Sequence, residues 1–229
     1  MDVKNFFDSF KDFFWDLIGY FLPGLYLMML LSSCVIPDRF YSSEILKSHP
    51  DLYVFILVSL SYILGYLVYG MGIVKDKVLG KYSSTRKIEQ KTQKTTEFII
   101  SKELFAKYLL KNNFLASLPE DIKTRDLRNL VMPFVPKVDN KTYTFMFRSD
   151  MCKHLGNISL MVGVLGLLSR IVCSSKCTPL LFHTDNQFVF LYVILFVSYF
   201  IFRETRNYFY SIALKIPFSE FSSTAKKDA

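Results

Sequence analysis

Arg148 and His154 are the two residues whose types and spacing could carry chemistry, in the segment RSDMCKH. Histidine exchanges protons near neutral pH and arginine stabilises negative charge, so the pair is suited to acid–base work on an anionic group. On one helix the two side chains would point about 120° apart. We therefore expect them to act together only if they come from different copies of the chain.

Four apolar blocks of sequence are the elements that would position Arg148 and His154. They cover residues 17–36, 52–74, 155–173 and 187–202. Each has about the length of a helix that crosses a bilayer, although the fourth is short. None of them keeps a polar face, which is the pattern of lipid-facing helices. The sequence predicts an all-α integral membrane protein with about four transmembrane helices and a small helical cytoplasmic layer.

The blocks divide the chain into five regions. We predict an amphipathic interfacial helix for residues 1–16 and a first transmembrane hairpin for residues 17–74. A basic helical cytoplasmic insert is predicted for residues 75–154, followed by a second transmembrane hairpin, 155–202, and a cytoplasmic tail, 203–229. The first region has phenylalanines at helical spacing, and the last carries several lysines and arginines. Both features are typical of segments at the surface of a membrane.

The distribution of charge predicts the topology. Residues 75–154 contain 17 Lys and Arg against 9 Asp and Glu, and this excess of 8 equals the net charge of the whole chain, +8. Because cytoplasmic loops of membrane proteins are rich in Lys and Arg, we place this insert and both termini in the cytoplasm. The basic residues are not interleaved with aromatic ones, so direct nucleic-acid binding is not favoured.

The third block carries a polar stripe. Asn157 has an amide that lipid cannot satisfy, so it must face protein or water. Ser159, Gly163 and Gly166 form a small-residue face for helix contact. The candidates that remain to line a pore are His154, Asn157, Met161, Val164 and Leu168. That stripe is polar at the cytoplasmic end and apolar deeper in, which suits a pore that closes by dewetting.

The second block has its own stripe of tyrosines, at positions 62, 66 and 69. Such a stripe can pack against a neighbouring helix or line a wet path. Cysteines lie at the outer edge, and Cys34 can bridge Cys173 or Cys177 if the outside is oxidising. No sequence pattern predicts a cofactor or a metal site.

The spacing of Arg148 and His154 is similar to the Arg-x(4–6)-His motif of HEPN ribonucleases. In those enzymes the Arg and the His of paired copies converge on a phosphodiester, where the His moves protons and the Arg steadies phosphate charge. The layout as a whole resembles the small membrane accessory protein of type VI-B CRISPR systems, which works beside an RNA-guided ribonuclease. The resemblance covers the order of spans and insert together with this one motif.

That resemblance implies a ring-shaped homo-oligomeric pore, an octamer being one candidate, in the bacterial inner membrane. Such a pore would strengthen antiphage defence by depolarising the membrane. Two alternatives stay open. A membrane-tethered HEPN-type ribonuclease would need Arg148 and His154 on a wet surface, and a scaffold for a cytoplasmic partner would need neither a pore nor a reactive pair.

Overall fold

The computed structural model describes residues 3–34, 50–80, 83–112, 118–173 and 182–225, with the side chains of residues 3–17, 50, 52–53, 173 and 225 outside the description. Every regular element in these ranges is helical. The helices are α1 Val3–Cys34, α2 Pro50–Leu79, α3 Ser84–Gln93, α4 Thr96–Lys111, α5 Thr124–Val131, α6 Asp139–Cys173 and α7 Asn186–Ala225. Two short 3-10 turns, Met132–Phe134 and Pro136–Val138, connect α5 to α6. The all-helical class predicted from the sequence is confirmed.

Three helices in the described part are long and apolar enough to cross a membrane. Their apolar ranges are Val54–Leu79, Pro136–Val172 and Asn186–Thr224. A fourth apolar helix, Ile18–Cys34, is shorter. The chain therefore has the composition of a membrane protein, and the predicted count of about four spans exceeds the number of helices that reach the full length.

The chain divides into two compact units. The first contains residues 1–77 and 151–203, and the second contains residues 78–150 and 204–229. Helices α6 and α7 are each divided between the units, so that one part of the helix belongs to the first unit and the other part to the second. Residues 203–229, predicted as a separate tail, thus belong almost entirely to the same unit as the basic insert.

The first unit is held together where α1 crosses α2. A side chain on Gly24 would overlap the backbone carbonyl of Ser61, and one on Gly65 would overlap the backbone of Tyr20. Small residues allow such a close crossing of two backbones. A core cluster fills the space among the four helical segments of this unit: Leu27, Leu30, Cys34, Val68, Ile158, Val162, Tyr192 and Leu195.

The second unit has a separate core around the final part of α7. Its buried apolar residues are Phe98, Phe105, Ile122, Leu127, Val131, Val135, Phe218 and Phe221. The Ser101 hydroxyl donates to the carbonyl of Phe218 at 3.1 Å, next to the buried Pro217. Pro217 has no N–H to donate within the helix. The tail is therefore part of a packed unit, because α7 supplies two of its core aromatic residues.

Candidate functional site

Two polar contacts join α2 to α6 in the first unit. The Lys153 ammonium lies 2.7 Å from Asp76 Oδ2. One turn further along α6, Asn157 Oδ1 accepts a hydrogen bond from Lys75 Nζ. The Lys75 ammonium also lies 5.2 Å from the centre of the Tyr199 ring on α7. We call Lys75, Asp76, Lys153, His154 and Asn157 the polar seam.

His154 is the most buried member of the polar seam, with 5% of its surface exposed. Its ring centre lies 5.5 Å from that of Tyr69, and its edge lies against Gly72 of α2. Within the described part of the chain, His154 Nδ1 has no hydrogen-bond partner, and neither has the buried amide nitrogen of Asn157. Buried polar atoms are almost always hydrogen-bonded, to protein or to ordered water. Two such atoms one turn apart therefore indicate a place for water or for a further polar group.

A column of tyrosines leads along α2 to His154. The Tyr66 ring stacks on Tyr20 of α1 at 4.1 Å, and the Tyr66 hydroxyl lies 3.0 Å from the Tyr62 hydroxyl. Tyr20 also contacts Tyr69 edge-on at 5.5 Å. Tyr66 is 47% exposed and Tyr69 is 40% exposed. We call Tyr20, Tyr62, Tyr66 and Tyr69 the tyrosine column.

The sequence explains this placement. Positions 62, 66 and 69 of α2 are four and three residues apart, so their side chains share one face of the helix. Lys75 and Asp76 come directly after the second apolar block, and Lys153 and His154 come directly before the third. The end of α2 and the start of the apolar part of α6 lie side by side in the first unit. Adjacency to the blocks is the sequence signal that would have marked Lys75 and Asp76 as candidates.

The other predicted pore-lining residues have different surroundings within one chain. Met161 packs against the core cluster of the first unit, Val164 is half-buried, and Leu168 is 50% exposed. The predicted contact face lies between helices, since the Ser159 hydroxyl is 2.9 Å from the Tyr26 hydroxyl and Gly163 and Gly166 lie against Tyr192. Only Leu168 among the apolar candidates remains largely open to a neighbouring copy or to lipid.

Arg148 lies in the second unit. Its guanidinium stands 5.7 Å from the ring centre of Phe145 and 5.9 Å from that of Phe209. A cation above aromatic faces is stabilised by their negative quadrupole. Ser149 beside it is buried, and its hydroxyl has no partner. Arg148 therefore has a packing role within the second unit, whereas His154 belongs to the first.

The second unit also contains a cavity of about 690 Å³, lined among others by Arg128, Asp139, Tyr143 and Asp150. Burial lowers the pKa of Arg128, whose guanidinium donates to Asn129 Oδ1. On the neighbouring face of α5, Arg125 donates to Tyr210 and Glu89, and these contacts raise the pKa of Arg125. Arg125, Glu89 and Tyr210 thus form one hydrogen-bonded network within the second unit.

A metal site has no support in the described part of the chain, where no three His, Cys, Asp or Glu side chains come together. Cys34 is buried and Cys152 is half-buried. The side chains of Cys173 and Cys177 lie outside the described residues, so the predicted bridge to Cys34 stays a prediction.

Known proteins offer no direct guide to this site. No protein family matches the chain, and neither a curated protein nor a solved structure is similar to it. Its function must be argued from the residues themselves.

Proposed function

We propose that the chain is one subunit of a homo-oligomeric membrane pore. The observation that carries the proposal is the pair of buried, unpartnered atoms in the polar seam, His154 Nδ1 and the Asn157 amide nitrogen. Polar groups buried within an apolar span are costly, and they commonly mark paths for ions or water. Lipid cannot hydrogen-bond them, whereas water in a pore mouth can.

The tyrosine column supports the same proposal. Three of its rings lie on α2 within an apolar range, Tyr20 lies on α1, and Tyr66 and Tyr69 are widely exposed in a single chain. Because acyl chains offer no hydrogen-bonding groups, a second copy or a water-filled path suits these amphipathic rings better than lipid does. The packing role expected for these tyrosines also holds in part, because Tyr20 covers Tyr66.

The pore path runs between subunits in this proposal. Leu168 and the open side of the tyrosine column face it, and the polar seam lies at its cytoplasmic mouth. The resemblance in layout to the type VI-B accessory protein adds the cellular setting. In that setting the pore lies in the bacterial inner membrane with both termini inside, and it strengthens RNA-targeting antiphage defence by depolarising the cell.

The ribonuclease alternative makes a different demand. A phosphodiester must reach both Arg148 and His154, yet His154 is buried against Tyr69. Purified wild-type protein should therefore leave single-stranded RNA intact, as should Arg148→Ala and His154→Ala. Cleavage by wild type that both variants lose would establish the ribonuclease function instead.

Two measurements test the pore. The mass of the detergent-solubilised protein should be a multiple of the 26.7 kDa chain, and a monomer would contradict the proposal. In expressing cells under phage challenge, a voltage-sensitive dye should report less depolarisation for Asn157→Leu than for wild type. Equal depolarisation at equal membrane levels would remove the polar seam from the conducting path. An oligomer that never depolarises cells would favour the scaffold.

A further inference from the structure

Arg206 in the second unit is a buried cation without an anion. It is 6% exposed. Its terminal nitrogens donate to the Ser84 hydroxyl at 3.0 Å, to Asn207 Oδ1 at 3.1 Å and to the Thr85 hydroxyl, and the Tyr210 ring lies 5.0 Å away. Its Nε has no acceptor among the described residues. In the described part of the chain no carboxylate pairs with it, since the ion pairs there involve Arg125 and Lys153.

The positive charge of Arg206 therefore has no negative charge beside it in the described part of the chain. Buried arginines are normally paired with an opposite charge, because removing the guanidinium from water is costly. Here the partners are neutral oxygens and an aromatic face. A guanidinium has five N–H donors in a planar fork that matches the oxygens of a phosphate or a carboxylate.

The donors of Arg206 converge on the N-terminus of α3, a helix of ten residues. Ser84 and Thr85 are its first two residues, and the preceding Ser83 makes no capping bond with its side chain. The first helical bond described runs from the Lys87 amide to the Ser83 carbonyl at 3.4 Å. The amides of a first turn have no acceptor within their helix, and the helix dipole makes that end positive.

We propose that Arg206 and the first turn of α3 form a binding site for a phosphate group. Helix N-termini bind anions through their amides, and the buried Arg206 adds a full positive charge. The Ser84 and Thr85 hydroxyls now accept from Arg206, and each can also donate its proton to a phosphate oxygen. Both residues are half-buried, so the site opens to the surface through them.

Two sources could supply this phosphate: an anionic lipid headgroup or a soluble phosphate. Arg206 follows Phe202, the end of the fourth apolar block, by four residues, which is about 6 Å along a helix. That distance corresponds to the depth of the headgroup layer. The lipid source rests on the membrane insertion proposed above, whereas the soluble source does not.

The test uses full-length protein and its thermal unfolding. In a neutral detergent, inorganic phosphate is compared with chloride at equal ionic strength. In nanodiscs, phosphatidylcholine alone is compared with a mixture that contains phosphatidylglycerol. A bound phosphate at ten times its Kd should raise Tm by about 3–5 °C. A shift with inorganic phosphate identifies the soluble source, and a shift with phosphatidylglycerol alone identifies the lipid. No shift in either arm contradicts the site.

Two arginine variants test whether the Tm shift comes from phosphate bound at Arg206. Arg206→Gln should lose the shift, and Arg203→Gln should keep it, because Arg203 is exposed on the same helix. A shift that survives in Arg206→Gln contradicts the proposal. If Arg206→Gln fails to fold, Ser84→Asp decides, since its carboxylate would occupy the anion position. Ser84→Asp should raise Tm without phosphate and abolish the response, and an unchanged response would contradict the site.

These outcomes are independent of conduction. A phosphate response without ion flux would contradict only the pore, and ion flux without a phosphate response would contradict only this site.

Discussion

Lys153 on α6 pairs with Asp76 on α2 at 2.7 Å, and each residue lies two positions outside its apolar block. The pair joins α2 to α6 at this end of the two blocks. It shares this role with the hydrogen bond from Lys75 to Asn157. The polar seam is thus both a structural clamp and, in our proposal, part of a pore mouth.

Removing one charge of this pair should weaken the clamp. We expect Asp76→Asn to lower the free energy of unfolding by about 1–2 kcal/mol, because Lys153 is mostly buried and loses its counter-ion. The double variant Asp76→Asn with Lys153→Met should recover part of that loss, because no unpaired charge remains. Thermal unfolding in detergent provides the readout. Strictly additive effects would show that the two side chains do not interact.

The crossing of α1 and α2 gives a second prediction. Gly65→Ala should lower the free energy of unfolding by about 1–3 kcal/mol, since its new methyl group would overlap the backbone of Tyr20. Gly70→Ala is the matched control, because nothing lies within 4 Å of its added methyl group. The control should be neutral or slightly stabilising, as alanine favours a helix over glycine. Equal stability of the two variants in size-exclusion and melting experiments would refute this crossing.

The sequence anticipated the helical class and the long apolar helices. Adjacency to an apolar block marks Lys75 and Asp76 as candidates, but the sequence could not assign their partners. Only the approach of α2 to α6 brings Lys75 to Asn157 and Asp76 to Lys153. The sequence also did not show that the C-terminal segment packs within the second unit. The core role of Phe218 depends on contacts with α4, which local periodicity does not reveal.

Arg148 shows a further limit of motif reading. Its spacing to His154 fits a motif for chemistry, yet its nearest aromatic partners, Phe145 and Phe209, are separated from each other by many residues of sequence. The sandwich depends on α6 and α7 coming together in the second unit. A motif of two residues carries no information about such long-range neighbours.

Topology supplies a third prediction. Single cysteines at Thr184 and at Lys91, in a background without native cysteines, should differ in their reaction with a membrane-impermeant maleimide added to intact cells. Thr184→Cys should react and Lys91→Cys should not, because the excess of positive charge between the hairpins places Lys91 inside. Labelling of Lys91→Cys from outside would overturn the orientation and with it the placement of the polar seam at a cytoplasmic mouth.

In our proposal α6 faces a conducting path, and two apolar residues of similar exposure offer a matched pair. Leu168 lies on the predicted pore stripe of α6 and is 50% exposed, whereas Ile194 is 44% exposed on α7. A polar side chain hydrates a constriction that closes by dewetting, so Leu168→Asn should open the pore without a trigger. Ile194→Asn introduces the same amide on a helix that lines no part of the proposed path.

The decisive measurement is therefore the conductance of purified Leu168→Asn and Ile194→Asn in planar bilayers at equal protein density. Our account predicts discrete conductance steps for Leu168→Asn and lipid-only current for Ile194→Asn. Lipid-only current from both variants, or equal steps from both, would contradict a pore lined by this face of α6.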